Sequence, residues 1–303
     1  MIKFLKLQNG AGGISMSVTD ACRQAIDHPL TSLDSDFLLG ESKRGVRLLL
    51  DYVRPEERLR AWGVISTIVV IGSARVSYEP TSHQHATLKP LRGVAEQESP
   101  IGWYEHARQF ARVASERGGA LRPVAGLRYN VIATGGGPGI MEAANRGASE
   151  AGAPSIGFNI KLPSEQGPNA YSTPELTFTF QYFAIRKFHL AKRASAVVVF
   201  PGGFGTLDEL FEILNLLRTH RAPVIPIVCY DEDYWTRVIN FQSLAENNMI
   251  DPIDLEMLCF ANSAEEAWQC LVTRGIHRNR VSSISDGLRA ASALRAHASA
   301  RIQ

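Results

Sequence analysis

Short β-branched runs alternate with stretches whose apolar residues recur every three to four positions, and this texture dominates the chain from residue 66 to residue 229. Residues 66–71 (STIVVI) read as a buried strand, because a strand covered on both faces carries no polar alternation. Trp103, Ala107, Phe110, Ala111 and Ala114 then recur at helical spacing, and Gly118-Gly119 ends that helix. The series continues with a strand over 130–134, a helix through Ala148, and strands over 155–160 and 176–180. A helix over 182–193, a strand over 195–200 (SAVVVF), a helix over 207–218 and a strand over 224–229 complete it. That strand is expected to be the last, with helices over 231–268 finishing the domain. Strands that alternate with helices imply an α/β fold, a Rossmann-like parallel sheet with helices on both faces.

Three regions surround or interrupt this pattern. Residues 1–60 are expected to form a helical N-terminal extension, in which 44–50 is followed by a charged stretch over 51–60 that Pro55 interrupts. The main domain then spans 61–275, and 276–303 forms a basic tail, frayed helix or disordered, in which Arg278, Arg280, Arg289, Arg295 and Arg301 face one acid, Asp286. Residues 76–100 are polar, contain Pro80, Pro90 and Pro100, and read as a loop or flap.

Composition narrows the function classes. Hydrophobic residues make up 45% and charged residues 20%, enough for a real core. A formal net charge of +2 argues against nucleic acid or an acidic membrane as partner, and the tail has neither aromatics nor a motif to reverse that. The four cysteines (Cys22, Cys229, Cys259, Cys270) form no CxxC pair, which fits a reducing cytoplasm. Lys3 and Lys6 are followed by Gly10, Gly12 and Gly13, where a signal peptide needs an apolar stretch. No apolar run approaches the roughly 20 residues of a membrane helix. The eight histidines make no HxxxH or HxxE set, so no metal is expected.

The candidate chemistry lies in two glycine turns, each between a strand and a helix. The first runs Thr134-Gly135-Gly136-Gly137-Pro138-Gly139-Ile140-Met141-Glu142, and the second Pro201-Gly202-Gly203-Phe204-Gly205-Thr206-Leu207-Asp208-Glu209. Glycines let the backbone approach a phosphate, and the following helix points free N–H groups at it. Thr206 can add a hydroxyl at the helix start, or serve only as a cap. Ile140 stands where GxGxxG needs its third glycine, and no GK[ST] follows, so dinucleotide and triphosphate sites are disfavoured. A monophosphate needs only backbone donors, a hydroxyl and an arginine.

These turns resemble the GGG-x-G-x-M-E and PGG-x-GT-x-x-E signatures of the LOG-type phosphoribohydrolases, long labelled possible lysine decarboxylases. The resemblance covers about 66–268, and the longer bacterial members, including nucleotide 5′-monophosphate nucleosidases, are most like this chain. It implies hydrolysis of a purine nucleoside 5′-monophosphate (AMP or a cytokinin riboside 5′-monophosphate) to free base and ribose 5-phosphate, with no cofactor. It also implies a homo-oligomer, dimeric or larger. The family's catalytic pair maps onto Arg186, in Phe183-Ala184-Ile185-Arg186-Lys187, and Glu209. Gly72, Ser73, Gly135, Gly136, Gly137, Gly139, Met141, Arg186, Lys187, Gly202, Gly203, Gly205 and Thr206 are the expected phosphate and nucleotide contacts. One departure is Gly72-Ser73-Ala74-Arg75, where the family usually carries GSS or a close variant.

The chemistry stands without the resemblance. Breaking a ribose N-glycosidic bond builds positive charge on the sugar, which a carboxylate such as Glu209 stabilises while orienting or deprotonating water. Arg186 could neutralise phosphate and hold Glu209 ionised. Each residue alone has a plainer reading: Arg186 as a surface ion-pair partner, Glu209 and Asp208 as complements to the helix dipole, Met141, Tyr182 and Phe183 as core, His189 as structural. Two rival functions use the same turns. One is a non-catalytic nucleotide sensor or carrier; the other is a pyridoxal-phosphate decarboxylase, for which Lys161, Lys187 and Lys192 lack a recognisable cofactor setting.

Overall fold

A computed structural model describes residues 32, 34–76, 100–162 and 167–276. The expected flap, apart from its first and last residues, and the expected basic tail beyond Ile276 lie outside the described residues, as does Cys22.

Seven parallel strands form one sheet in the order β4-β3-β2-β1-β5-β6-β7. They are β1 (Thr67–Ile71), β2 (Val131–Thr134), β3 (Ser155–Ile160), β4 (Thr177–Phe180), β5 (Ala194–Val199), β6 (Ile227–Tyr230) and β7 (Leu258–Ala261). Strands β1, β2, β3 and β6 are buried at every residue, which is why β1, β2 and β6 read as largely apolar runs, while β3 buries Ser155 and Asn159 as well. Alternate residues feed two cores on opposite faces. Ile68, Val70 and Ile132 pack with Tyr104, Phe110, Ile140 and Trp268. Val69, Ile71 and Ala133 pack with Leu59, Leu190, Leu210 and Trp235. The first face is covered by α3 (Pro100–Gly118), α4 (Ile140–Glu150) and α9 (Ala264–Thr273), and the second by α5 (Phe183–Lys192), α6 (Phe204–Arg218), α7 (Glu232–Val238) and α8 (Phe241–Glu246).

The seventh strand corrects the expectation of helices throughout 231–268. Leu258–Ala261 is four residues long, and only Leu258 and Ala261 are buried. An edge strand of that length, Leu-Cys-Phe-Ala, carries no alternation to mark it. At the other end the chain divides into compact units between Arg47 and Leu48, not at residue 60. In the first unit Asp34 caps α1 (Ser35–Leu39), and Arg47 donates to the carbonyls of Leu38 and Gly40. In the second, the part of α2 (Arg44–Ala61) from Leu48 onward continues through Pro55 rather than breaking there. From its later turns Leu59 enters the core, and Glu56 pairs with Lys192 at 2.8 Å and Arg193 at 2.5 Å. Those contacts outweigh the roughly 3 kcal/mol that an internal proline costs. Among the described residues no helix is long and apolar enough to cross a membrane.

Candidate active site

Strand order places β1 between β2 and β5, so the chain reverses direction across the sheet between β1 and β5. In open parallel sheets the crevice beyond the carboxyl ends at such a reversal is where ligands bind. Three turns meet there. Ser73 N–H donates to Pro201 O and Ser73 O accepts from Ile140 N–H, both at 3.0 Å, so the turn after β1 is bonded to both glycine turns. Gly72 lies against Ile140, whose side chain would be 2.7 Å from any added Cβ, and Gly202 lies 3.0 Å from Ser73 N by the same measure. Gly139, at φ 73°, passes so close to Ser73 O that no other residue fits.

The two helices that leave these turns start without a side-chain cap, on Gly139 and Gly203 respectively. Helix α6 begins at Phe204, three residues before the expected start at Leu207. Gly205 and Thr206 are poor helix formers, but in a first turn, where N–H groups have no intrahelical partner, propensity matters little. Thr206 is therefore the third helical residue, buried, with its hydroxyl packed over Gly202 instead of capping the helix. Gly203 and Gly205 stand exposed at this start. Gly136 also departs from expectation, since its N–H donates to Thr134 Oγ1 at 2.9 Å and points into the fold.

Arg186 and Glu209 approach from the other side of the crevice. The chain leaves β4, enters α5 at Phe183 and turns Arg186 inward, where it is 7% exposed. Its Nη1 donates to Glu209 Oε1 and its Nε to Phe158 O, each at 2.7 Å. Nη2 fills the space beside Gly135 where a Cβ would stand, and Met141 Sδ lies 2.7 Å from the same point. One guanidinium thus connects the first glycine turn to the carboxylate beside the second, and Met141 closes over Gly135 and Gly137. Burial pushes the Glu209 carboxyl above its usual value, against the pull of Arg186. Arg186 favours the ionised form of Glu209 as expected, but desolvation outweighs that pull.

Not every expected residue joins this group. Lys187 pairs with Asp208 and Glu212, each at 2.8 Å, and is held between α5 and α6 instead of reaching the glycine turns. Asp208 answers that lysine; as the fifth residue of α6 it lies beyond the first turn, which corrects its reading as a complement to the helix dipole. Phe183 is 53% exposed, which corrects its reading as core, and Tyr182 is half-buried before α5. His189 is buried among Tyr52, Phe158, Phe180 and Phe188. Three polar residues that reach the turns, Asn145, Asn169 and Tyr234, lie outside both of them in sequence. Thr134 and Asn145 share a buried 2.7 Å hydrogen bond behind the first turn, while Asn169 and Tyr234 reach the turns from residues outside both signatures. Among the described residues no cluster of three His, Cys, Asp or Glu could hold a metal ion.

Comparison with known proteins gives sequence and structural likenesses. The family described as "Possible lysine decarboxylase" matches residues 141–271, a span that includes Arg186, the second glycine turn and Glu209. A cytokinin riboside 5′-monophosphate phosphoribohydrolase of Mycobacterium tuberculosis is 26% identical over 165 residues, which is 52% of this chain and 83% of that protein. The enzyme of the same description named LOG1 in Arabidopsis thaliana is 34% identical over 84 residues, 27% of this chain and 38% of its own length. Among solved structures, a molybdenum cofactor binding protein from Rippkaea orientalis aligns over 69% of this chain and 96% of its own, at 18% identity and a TM-score of 0.43.

Proposed function

We propose that this chain acts as the LOG-type phosphoribohydrolases it resembles do, hydrolysing the N-glycosidic bond of a purine nucleoside 5′-monophosphate. AMP and cytokinin riboside 5′-monophosphates are the substrates this reading favours, with free base and ribose 5-phosphate as products. The observation that carries it is the buried Arg186–Glu209 pair at 2.7 Å, set against glycine turns whose helices start uncapped.

Each part has a task in that reaction. Free N–H groups at the starts of α4 and α6 hold the phosphate, with the helix dipoles aligned to help. Binding the unreactive phosphate orients the ribose. Water adds its hydroxyl to the anomeric carbon as the bond to nitrogen breaks; the base leaves with the electron pair and takes a proton from solvent, to which Glu209 afterwards returns the proton it took from the water. Glu209 faces the positive charge that grows on the ribose and accepts the proton of the attacking water. A carboxyl pushed up by burial is a stronger base than one in water. Arg186 keeps that carboxylate aimed through Oε1.

The test is a panel of nucleoside 5′-monophosphates scored by chromatography for released base, wild type against Glu209→Gln. Base release from a purine monophosphate that the substitution abolishes is the expected result. Tight binding of several nucleotides with no base released sinks the proposal and favours the sensor or carrier. Self-association is part of the same reading, and light scattering that returns the 33.2 kDa of one chain overturns it.

A further inference from the structure

Both phosphate turns are braced from outside the motifs, and in each case the brace takes a carbonyl. In a helix the N–H of residue i closes on the C=O of residue i−4, so carbonyls just before a helix start compete with any ligand for the first amides. Tyr234 OH donates to Gly202 O at 2.7 Å. That carbonyl lies four residues before Thr206, and the extended backbone at Gly203 together with Tyr234 keeps it turned from Thr206 N–H, which has no acceptor among the described residues. At the first turn Asn169 N–H donates to Gly136 O at 2.8 Å, and its Nδ2 lies 3.1 Å from that oxygen and 3.0 Å from Gly137 O. Those are the carbonyls four residues before Ile140 and Met141. Ile140 N–H turns instead to Ser73 O, and Met141 N–H has no acceptor among the described residues.

Each brace is itself fixed. Asn169 Oδ1 accepts from the N–H groups of Tyr171 and Ser172 at 3.1 and 3.2 Å, and its Nδ2 also meets Asn145 Oδ1 at 3.0 Å. Tyr234 is aimed by Asp231, a non-glycine residue at φ 70°. Asp231 Oδ1 accepts from Tyr234 N–H and its Oδ2 from Trp103 Nε1–H, both at 2.8 Å, and the Trp103 ring meets Tyr234 edge-on at 5.6 Å. Left-handed backbone at a residue other than glycine is strained and persists where the surroundings over-determine it.

We infer that Asn169 and Tyr234 are positioning residues: by anchoring the carbonyls of Gly136, Gly137 and Gly202 they hold both turns in the conformation that keeps these carbonyls turned away and presents the first amides of α4 and α6 to the substrate's phosphate. The inference rests on the proposed function only for the identity of the phosphate's owner. It is tested by calorimetric titration of wild type, Tyr234→Phe and Asn169→Ala with ribose 5-phosphate and, separately, with adenosine, which carries no phosphate. Removing one hydrogen bond should weaken ribose 5-phosphate binding about fivefold in Tyr234→Phe, and the loss of two carbonyl contacts should weaken it further in Asn169→Ala. Adenosine affinity should stay unchanged in Tyr234→Phe, the variant that alters the fold least. Wild-type affinity for ribose 5-phosphate in Tyr234→Phe, or an equal loss for adenosine, overturns the inference. Wild type that binds ribose 5-phosphate but releases no base from any nucleotide overturns the proposed function alone, and wild type that binds no ribose 5-phosphate overturns both.

Discussion

Acidification should destabilise this protein through one side chain three residues beyond Arg186. His189 is 1% exposed and packs against the rings of Tyr52, Phe158, Phe180 and Phe188. Burial pushes its pKa down from 6.5 to about 4; Glu56, at 3.5 Å, pulls it up, but Arg193 and Lys192 oppose that pull. Between those values the unfolded chain binds a proton that the folded chain refuses, so stability is present above 6.5 and is lost as pH falls towards 4. Integrating that difference from pH 8 to pH 5 gives a loss of about 2 kcal/mol, a large part of a typical margin of roughly 5 to 15 kcal/mol. Urea unfolding followed by tryptophan fluorescence measures it, since Trp235 is fully buried. The comparison is wild type against His189→Leu at both pH values. Glu56 titrates from 4.5 to about 2, mostly below this window, and the raised Glu209 contributes with the opposite sign in both proteins, so the difference isolates His189. Wild type should lose about 2 kcal/mol more than the variant on acidification. Equal losses refute the argument.

Three further outcomes follow from the same geometry. Gly135→Ala puts a methyl group into the Arg186 guanidinium and 2.7 Å from Met141 Sδ; base release should fall about 100-fold or more, while circular dichroism shows the sheet and helices intact. The pH profile of kcat should rise along an acid limb that lies above 4.5, because burial raises Glu209 and the base works only when ionised; Glu209→Gln should remove that limb along with about 100- to 10,000-fold of the rate. Glu56→Gln should cost about 3 kcal/mol of stability at pH 7, since it leaves Lys192 and Arg193 without their carboxylate; a melting temperature equal to wild type contradicts the ion-pair account.

Much of the fold can be read from the chain because burial on both faces forces a continuous apolar run. Strands β1, β2, β3 and β5 start and end within one residue of what 66–71, 130–134, 155–160 and 195–200 announce. Elements decided by packing at a distance are less visible. β6 begins at Ile227, three residues later than its apolar run, and β7 depends on pairing with β6 for its existence. Glu56 and Leu59 belong to the unit that begins at Leu48, and no local propensity records that they pack on α5 and the sheet.

The same contrast separates the parts of the candidate site. Gly135, Gly139 and Gly202 are legible because each answers a steric demand that no other side chain meets: a guanidinium, a carbonyl or a neighbouring turn occupies the Cβ position. A demand of that kind prints a residue type at a fixed offset from a strand. Asn169 and Tyr234 answer a different demand, the removal of a carbonyl from competition, and any donor reaching Gly137 O or Gly202 O from any later segment would meet it. Asn169 lies 32 residues from Gly137 and Tyr234 lies 32 residues from Gly202, separations that correspond to no local period. Lys187 illustrates the opposite error. Its place beside Arg186 suggests a ligand contact, yet one helical step turns it about 100° to Asp208 and Glu212. Adjacency in sequence is therefore weaker evidence for a shared task than a common steric constraint, and Arg186 is singled out by the empty Cβ position at Gly135 that its guanidinium fills.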